Sequence, residues 1–422
     1  MKFSVIIPVG NSTKNLPAII TQLDRIIQSS LEIIFILDGF FLNDEEKSLN
    51  YFHKFMLDTF FIRDIKIISI LNKSGPGVAR NIGIKAAVGD WLMFIDDDDL
   101  LFSISDIKIS LDISFDLYLF TFKDEEGFMD NNLLVDILSV EKEIKTEKFL
   151  KLILDTGFFP NHIQQFLYNR NFIIKNNIQF PCTYLCEDIT FNSQAIILSK
   201  NIGFLSSYLY FYRKGISTTK KIASIQRAFD PVICINLLNK NSLNHSYLKD
   251  VKLRLLHLFI SRFIYEVMNS NLIENDSEIE NLRSKIINVI LNNQFICNLI
   301  SNNNLVIYCD GPVSKFIELI VTIAKSDISI KIINDFNIHE ADFYFKSENC
   351  DTCLIIANIQ SHLSSKIMNR ALKRWKNYDF IINKNLIIAS DFINEFIFIS
   401  DDLINYGNNK FIEPANLHSS VL

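Results

Sequence analysis

The sequence predicts an α/β protein in which a first, mostly parallel sheet is followed by a helical stretch and a second, smaller α/β unit. Two observations support this: short apolar runs alternate with helical patterns over residues 1–100, and the alternation returns from Asn304. Such alternation with short links favours parallel strands covered by helices on both faces. A chain of 422 residues is too long for one ordinary core, so we expect two or three domains.

Four segments near the N-terminus are predicted to be buried strands. Each is an almost uninterrupted apolar run, which is typical of strands that are covered on both faces. They are Phe3–Val9, Glu32–Asp38, Ile65–Leu71 and Trp91–Asp96. Between them, helical spacing of apolar residues and helix-start signals predict helices over Leu16–Ile27, from Asn43 towards Met56, and from Gly75 onwards.

The rest of the chain is predicted to contain a helical middle and a second α/β unit. The candidate helices of the middle are Pro231–Leu238, Tyr247–Asn269 and Glu278–Leu291. Beyond it, strands are predicted in LVIYCD, ISIKIIND, CLIIANI and NLIIAS, with helices in GPVSKFIELIVTIA and around Leu363–Trp375. We therefore expect domains at residues 1–220, 221–300 and 301–422.

Composition and charge exclude several classes of protein. A formal net charge of −6 gives no electropositive footprint, so nucleic acid is not an expected partner. The N-terminus lacks the pattern of a signal peptide and no apolar run is long enough to span a membrane, so we expect a cytoplasmic protein with reduced cysteines. The amphipathic segment Leu253–Met268 leaves peripheral membrane contact at the inner face open.

Four consecutive aspartates, Asp96–Asp99, follow the fourth predicted strand directly. Adjacent carboxylates repel one another unless a cation or a partner offsets their charge. Since ligands of open α/β sheets bind beyond the carboxyl ends of the strands, this run and Asp38 are expected at the ligand edge. Alternating carboxylates can present oxygens to Mg²⁺ or Mn²⁺, although an acidic solvated turn has the same composition.

A glycine-rich turn, NKSGPGVARNIGI, follows the third predicted strand. Gly75 and Gly77 permit a close approach of backbone to a ligand, and the helix that follows offers free N–H groups. Arg80 lies near its first turn, with a guanidinium suited to anions. An ordinary Gly-Pro-Gly turn with a surface arginine is the alternative.

These motifs together resemble the family 2 glycosyltransferases. PVGN, ILDG, SGPGVARNIGI and FIDDDDLL, in this order and spacing, are similar to the nucleotide-sugar half of that family, which has the GT-A fold, a Rossmann-like single domain. FLYNRNFIIKNNIQFP followed by CEDITFNSQAI resembles its acceptor side: a Leu-Tyr-x-Arg helix, then a Glu-Asp pair that opens a helix. YFYRKGISTT is similar to the element that closes the domain. The resemblance covers residues 1–219.

The resemblance implies roles on the donor side. Pro8 and Val9 match the strand end that lines the nucleobase pocket, and Asp38 matches the acid that binds uracil. Arg80 matches an arginine near the base and the diphosphate. Leu37 stands where the family usually has a further acid, and Gly10 where it usually has Tyr or Phe.

The resemblance also implies the metal ligand and the catalytic base. Asp96 and Asp98 match the two acids of the D-x-D motif, with Asp96 towards the ribose and Asp98 on the metal. Asp97 is counted with the nucleotide-sugar contacts. Asp188 matches the expected general base, with Glu187 as its neighbour. An acid favoured at a helix N-terminus is the alternative explanation for Asp188.

Three further residues are weaker candidates for the acceptor and diphosphate side. His162 precedes the predicted acceptor-side helix, and an ordinary loop histidine is the alternative. Tyr212 and Arg213 lie in the closing element, where a surface pair is equally compatible with the sequence.

The sequence therefore predicts a metal-dependent, inverting glycosyltransferase that uses a UDP-sugar. A cation supports the departing diphosphate, and a carboxylate takes the proton of the acceptor hydroxyl. The resemblance implies an acceptor that is a surface glycan or its lipid-linked precursor. Two alternatives are a bifunctional enzyme with a second nucleotide or sugar site in 301–422, and a non-catalytic scaffold. A structural or homo-oligomerising role for 301–422 is also left open.

Overall fold

The computed structural model describes part of the 422-residue chain. The described residues are 2–10, 19, 21, 30–39, 64–70, 73–101, 111–120, 123–124, 127–128, 143–156, 159–205, 210–211, 230–231, 233–234, 237, 248–269, 277–292, 304–308, 312–327, 329–333, 352–356 and 380–381. The elements from Lys2 to Phe211 belong to a first compact unit, and those from Leu248 to Ile381 belong to a second. The predicted boundaries at 220 and 300 stay predictions.

An eight-stranded mixed sheet is the centre of the first unit. Its strands in spatial order are β3 (Asp64–Ile70), β2 (Ser30–Asp38), β1 (Lys2–Val9), β4 (Trp91–Phe94), β10 (Phe166–Asn169), β6 (Leu117–Phe120), β11 (Asn201–Leu205) and β9 (Glu143–Lys145). The first four run parallel, as the sequence predicts. β10 runs antiparallel to both of its neighbours.

β1, β2 and β4 are buried on both faces, which explains their continuous apolar runs, whereas β3 at the sheet edge is mostly half-buried. β1 and β2 pair from Lys2–Ser30 to Val9–Leu37. Ser4 and Glu32 are buried polar residues near the starts of these two strands, and Asp38 is a buried acid at the carboxyl end of β2. Glu32 is fully buried, accepts a hydrogen bond from the Val88 backbone at 2.9 Å, bonds the Ser4 hydroxyl and pairs with Lys66 at 2.5 Å.

Helix α1 (Pro76–Ala86) follows the glycine-rich turn and packs on the sheet. A Cβ on Gly83 would lie 2.4 Å from Ile6 Cγ2, so only a glycine lets the helix approach β1 this closely. Gly75, just before the helix, has a φ of 90°, a value that L side chains rarely adopt. These glycines fix the place where α1 begins, next to the ends of β1 and β4.

The segment FLYN is a strand, which corrects the predicted Leu-Tyr-x-Arg helix. Phe166, Leu167 and Tyr168 are buried in β10 between β4 and β6. The helix, α3 (Arg170–Lys175), begins only after Asn169, whose side chain accepts a hydrogen bond from the Phe172 backbone and caps it. An apolar run of three residues is too short to separate a strand from a helix by periodicity.

The remaining elements of the first unit flank this sheet. The helices are α2 (Thr146–Thr156), a 3₁₀ turn (Ile163–Gln165) and α4 (Glu187–Leu198). A four-stranded sheet orders β5 (Leu100–Leu101), β12 (Tyr210–Phe211), β7 (Lys123–Asp124) and β8 (Gly127–Phe128). Since Tyr210 pairs with Leu101, this sheet brings Tyr210 next to the end of the aspartate run.

The second unit contains a parallel sheet in the order β14 (Ser329–Ile333), β13 (Asn304–Tyr308), β15 (Thr352–Ile356), β16 (Phe380–Ile381). Its helices are α5 (Leu248–Asn269), α6 (Ser277–Asn292) and α7 (Pro312–Ala324), and they contact one another. The predicted α/β character of this region is confirmed, and α7 begins at Pro312 as expected.

Several predicted elements lie outside the described residues. They are the helix from Asn43, most of Leu16–Ile27, the helix Leu363–Trp375 and the strand NLIIAS. Among the helices that the structure does describe, none has the length and apolarity that crossing a membrane requires.

Candidate active site

The predicted acids collect at one edge of the first unit, around the side chain of Arg80. Asp96 follows β4, whereas Glu187 and Asp188 open α4. Arg80 comes from the second turn of α1. Two acids that are 92 residues apart in the numbering, Asp96 and Asp188, therefore share one partner.

Arg80 bridges three carboxylates. One terminal nitrogen lies 2.7 Å from Asp96 Oδ1, and the other lies 2.7 Å from Asp188 Oδ1 and 3.4 Å from Glu187 Oε1. The guanidinium is only 3% exposed, whereas Asp96 and Asp188 are 28% and 25% exposed. A planar fork with fixed donors suits this task, because each end can engage a different acid. The arginine thereby joins the strand that carries the aspartates to the helix that carries the predicted base.

Burial and charge act in opposite directions on these groups. Burial acts to lower the pKa of Arg80, but the Asp188, Asp96 and Glu187 carboxylates raise it well above its usual value. Burial raises the pKa of Asp188, and Arg80 opposes that rise. Burial and the Asp188 charge together raise the pKa of Glu187. Raised carboxyl pKa values in a partly exposed cleft are typical of groups that exchange protons.

An aromatic cluster supports the guanidinium from below. Arg80 lies over the ring of Phe180, 5.4 Å from its centroid. Phe180 stacks on Phe191 of α4 at 3.9 Å, and Phe94 of β4 meets both rings edge-on. A cation over an aromatic face is attracted by the ring quadrupole. The cluster therefore supports one face of the Arg80 guanidinium and packs α4 against β4.

The structure separates the four consecutive aspartates by their partners. Asp96 is held at Oδ1 by Arg80 and at Oδ2 by the Gln164 amide, at 2.6 Å. Asp97 Oδ2 accepts a hydrogen bond from the Gly10 backbone at 3.1 Å, which ties the end of β1 to the end of β4. Asp99 is buried and accepts a hydrogen bond from the Tyr210 hydroxyl.

The donor set fits a hard divalent cation. One carboxylate oxygen each from Asp96, Asp98 and Asp99 lies within 4.8 Å of the others. Mg²⁺ and Mn²⁺ prefer carboxylate and water ligands, so three converging carboxylates are chemically suitable. Asp98 is one of the three converging carboxylates, and its role as the metal ligand stays a prediction.

Asp38 organises the loop that leads into α1. Its Oδ1 accepts from the Ser74 backbone at 2.7 Å and its Oδ2 from the Gly75 backbone at 2.9 Å. Burial raises the pKa of Asp38, and these two hydrogen bonds oppose that rise. Its predicted uracil contact stays a prediction, because both oxygens already serve the loop.

The other donor-side candidates serve the packing of the site. Pro8 is buried at the end of β1, and Val9 is fully buried in the core, beside the edge that carries the acids. Gly77 allows a close approach, but to protein: a Cβ there would lie 2.6 Å from the Pro181 carbonyl oxygen. Direct contacts of these three residues with a nucleotide stay predictions.

Of the three weaker candidates, His162 is described by the structure and lies close to the site. The His162 backbone donates to Gln165 Oε1 at 3.3 Å at the start of the 3₁₀ turn. Burial lowers the pKa of His162, and the negative charge of Asp96 opposes that decrease. The His162 ring is therefore within electrostatic range of the Asp96 carboxylate. Tyr212 and Arg213 lie outside the described residues.

Sequence reasoning missed three contacts of the site. Gln164 and Tyr210 bond the aspartate run, and Phe180 lies under Arg80. Gln164 lies two positions after the candidate His162, but an uncharged amide in a loop gives no signal by type or spacing. Tyr210 opens the YFYRKGISTT segment, where the sequence drew attention to the neighbouring Tyr212 instead.

These observations define a class of protein. It is an α/β domain with a cluster of carboxylates beyond the carboxyl ends of its strands, and a buried arginine joins them. The first unit has the GT-A fold, a Rossmann-like glycosyltransferase architecture. A crystal structure of Staphylococcus aureus TarS 1–349 in complex with UDP-GlcNAc is similar to the chain, with a TM-score of 0.51 and 16% identity. The match covers 77% of this chain and 91% of that one.

Residues 4–103 match the family model described as glycosyl transferase family 2. The resemblance that the sequence motifs indicate is therefore confirmed over these residues. They include Asp38, Arg80 and Asp96–Asp99, whereas Glu187 and Asp188 lie outside the matched range.

Curated relatives match longer stretches of the chain than the family model does. YibD of Escherichia coli (strain K12), an uncharacterized glycosyltransferase, is 25% identical over 218 residues, which are 50% of this chain and 61% of YibD. The poly(ribitol-phosphate) β-N-acetylglucosaminyltransferase TarS of S. aureus (strain MW2) is 23% identical over 258 residues, 57% of this chain and 41% of TarS. A poly(ribitol-phosphate) β-glucosyltransferase of Bacillus spizizenii is 26% identical over 229 residues, 50% of this chain and 32% of that enzyme. The chain thus spans between about a third and three fifths of these relatives' lengths.

Proposed function

We propose that this protein is a metal-dependent, inverting glycosyltransferase that moves a sugar from a UDP-sugar to a hydroxyl of a glycan or lipid-linked glycan. The observation that carries the proposal is the Arg80 bridge, which keeps the acid of the donor side, Asp96, beside the acid of the acceptor side, Asp188. Transfer needs one group of acids for the cation and diphosphate and a separate carboxylate for the acceptor proton.

The proposed reaction is a single displacement. The acceptor oxygen bonds to the anomeric carbon as the bond from that carbon to the diphosphate oxygen breaks, and UDP leaves with the electron pair. Because attack comes from the face opposite the leaving group, the anomeric configuration inverts and no enzyme nucleophile is needed. The hydroxyl proton goes to Asp188.

The two carboxylate oxygens of Asp188 can serve separate purposes, which suits the residue to act as the base. Oδ1 accepts the hydrogen bond from Arg80, so we assign proton uptake to Oδ2. Arg80 opposes the rise in pKa that burial causes, which keeps Asp188 ionised before reaction.

The metal site is assigned to the aspartate run. Asp98 would hold Mn²⁺ or Mg²⁺, with Asp96 or Asp99 completing the protein ligands. When bound, the cation acts as a Lewis acid that offsets the charge growing on the departing diphosphate. Arg80, by pairing with Asp96, limits the repulsion within the run.

The donor and acceptor follow from the relatives as proposals only. One TarS structure is a complex with UDP-GlcNAc, and two relatives are named for transferring glucose or N-acetylglucosamine to poly(ribitol phosphate). These names support a UDP-hexose or UDP-N-acetylhexosamine donor and an acceptor rich in hydroxyl groups.

A donor screen tests the proposal. The full chain is incubated with Mn²⁺ and UDP-glucose, UDP-GlcNAc, UDP-galactose or UDP-GalNAc, and released UDP is measured. We expect release from at least one of them, with GDP-mannose as the control. Release from GDP-mannose alone would correct the nucleotide, and no release from any donor, even as slow hydrolysis, would contradict glycosyl transfer.

A further inference from the structure

Gln164 is a buried amide that bonds the carboxylate oxygen of Asp96 other than the one bonded by Arg80. It lies in the 3₁₀ turn Ile163–Gln165 and is 3% exposed. Its Nε2 donates to Asp96 Oδ2 at 2.6 Å. A carboxylate only accepts hydrogen bonds, so the NH₂ end, and not the carbonyl end, must face Asp96.

Asp96 is consequently held at both of its oxygens. Arg80 donates to Oδ1 at 2.7 Å and Gln164 donates to Oδ2 at 2.6 Å. One bond would leave the carboxylate able to turn about its χ2 torsion, which is broad for aspartate. Two bonds from separate elements, α1 and the 3₁₀ turn, fix its plane.

The other end of the Gln164 amide argues against a purely structural role. Its Oε1 is buried and has no hydrogen-bond partner within the part of the chain that the structure describes. Buried amides are normally paired at both ends, because an unpaired acceptor costs free energy. Gln194 provides the contrast: it is also buried, but its Nε2 donates to backbone carbonyls of Gln179 and Thr190.

We propose that Gln164 is a positioning residue of the donor site, which orients the Asp96 carboxylate towards the UDP moiety. The proposal rests on the proposed function, since it is the nucleotide that Asp96 is expected to meet. Gln164 touches neither Asp188 nor Glu187 by any hydrogen bond described above, so its loss should affect donor binding more than the chemical step.

The test measures binding of UDP with Mn²⁺ to the full chain by calorimetry, together with KM and kcat for the best donor of the screen. The variant is Gln164→Met, which keeps the length and removes the amide. The matched control is Gln194→Met, the same change at a buried glutamine that bonds only backbone. We expect Gln164→Met to raise the Kd of UDP and the donor KM about tenfold, with kcat within about threefold of wild type.

A second variant covers the case in which Gln164→Met does not fold. Gln164→Asn keeps an uncharged amide but shortens the side chain by one methylene, so the NH₂ no longer reaches Asp96 while most of the packing survives. We expect its Kd for UDP to rise at least as much, with a thermal midpoint close to that of wild type.

The outcomes separate the two proposals. If wild type binds UDP and both Gln164 variants bind it as tightly as Gln194→Met, the positioning role is wrong while the proposed function stands. If wild type itself binds no UDP in the presence of Mn²⁺, the proposed function fails and this inference fails with it.

Discussion

Arg80 is a buried cation whose charge is offset by three carboxylates and whose face rests on Phe180. Removing one member of a buried ion pair leaves the remaining charges unpaired, which usually costs more than the pair contributed. At this position the loss would expose Asp96, Glu187 and Asp188 to one another's repulsion. The residue therefore has a part in stability as well as in the geometry of the site.

We expect Arg80→Met to lower the free energy of unfolding of the first unit by roughly 3–5 kcal/mol. Urea unfolding followed by circular dichroism measures this. The control is Lys2→Met, which removes one partner of the partly exposed ion pair with Asp64 in the same unit and should cost no more than about 1 kcal/mol. Equal losses from the two variants would contradict the central place of Arg80.

Asp188→Asn tests the base at the same scale. An amide cannot take the acceptor proton, so we expect kcat to fall by about 10²–10⁴-fold while the Kd for UDP stays within about twofold. Glu187→Gln, next to it, is the control and should reduce kcat much less, because Glu187 lies farther from Arg80, at 3.4 Å against 2.7 Å. Near-normal turnover by purified Asp188→Asn would rule out the base assignment.

At the scale of residues, the sequence predicted the site residues that carry a charge and belong to a motif. Asp96, Arg80, Glu187 and Asp188 were all expected at the site, and the structure brings them into contact. Gln164 was not expected, because its importance comes from a partner 68 positions away, and no local pattern encodes such a pair. Gly77 was assigned to a ligand, yet its lack of a side chain accommodates the Pro181 carbonyl.

At the scale of elements, the continuous apolar runs predicted β1 to β4 with their direction, because strands buried on both faces leave that pattern. The antiparallel half was not predicted. β10 inserts between β4 and β6 although its first residue, Phe166, lies 46 positions after the last residue of β6, Phe120. Pairing over such a distance is decided by tertiary contacts, which local periodicity does not contain.

The buried Glu32 of β2 bonds Ser4 of β1 and Lys66 of β3, and its titration makes the stability of this contact between strands depend on pH. Burial acts to raise the pKa of Glu32, but hydrogen bonds from Lys66, Ser4 and Val88 outweigh it and lower the pKa below its ordinary value of 4.5. A lowered folded-state pKa means that the native state favours the ionised form. The resulting stabilisation is fully present above pH 4.5 and is lost as pH falls through the folded-state pKa.

Glu32→Gln should reveal this dependence. At pH 7 we expect the variant to unfold with a free energy lower by about 2 kcal/mol, because the ionised hydrogen bonds are lost. The difference from wild type should shrink progressively below pH 4.5. Urea unfolding of both proteins between pH 3.5 and pH 7 measures it. A difference that stays constant over that range would show that the charge of Glu32 contributes nothing.

At the scale of the whole molecule, the alternation of strand and helix patterns predicted two α/β units, and both sheets are present. The function of the first could be proposed because its motifs combine into one constellation of acids around Arg80. In the described residues of the second unit, the strands end in uncharged side chains, so no comparable set of acids lies at these strand ends; the residues are Tyr308, Ile333, Ile356 and Ile381. A nucleotide or sugar site in 301–422 therefore stays an alternative without an observation to favour it.

The proposed activity depends on a cation held by the aspartate run. Mn²⁺-dependent UDP release by Asp98→Asn, measured beside wild type and Asp97→Asn, tests it most directly. Both variants lose the same charge, but Asp98 belongs to the converging carboxylates, whereas Asp97 bonds the Gly10 backbone.

We predict that Asp98→Asn lowers UDP release at least roughly a hundredfold and raises the Mn²⁺ concentration for half-maximal activity, because a Lewis acid contributes several kcal/mol to such a step. Asp97→Asn should leave the Mn²⁺ requirement unchanged. Wild-type activity that persists in excess chelator, or an Asp98→Asn variant with the wild-type Mn²⁺ requirement, would contradict the account.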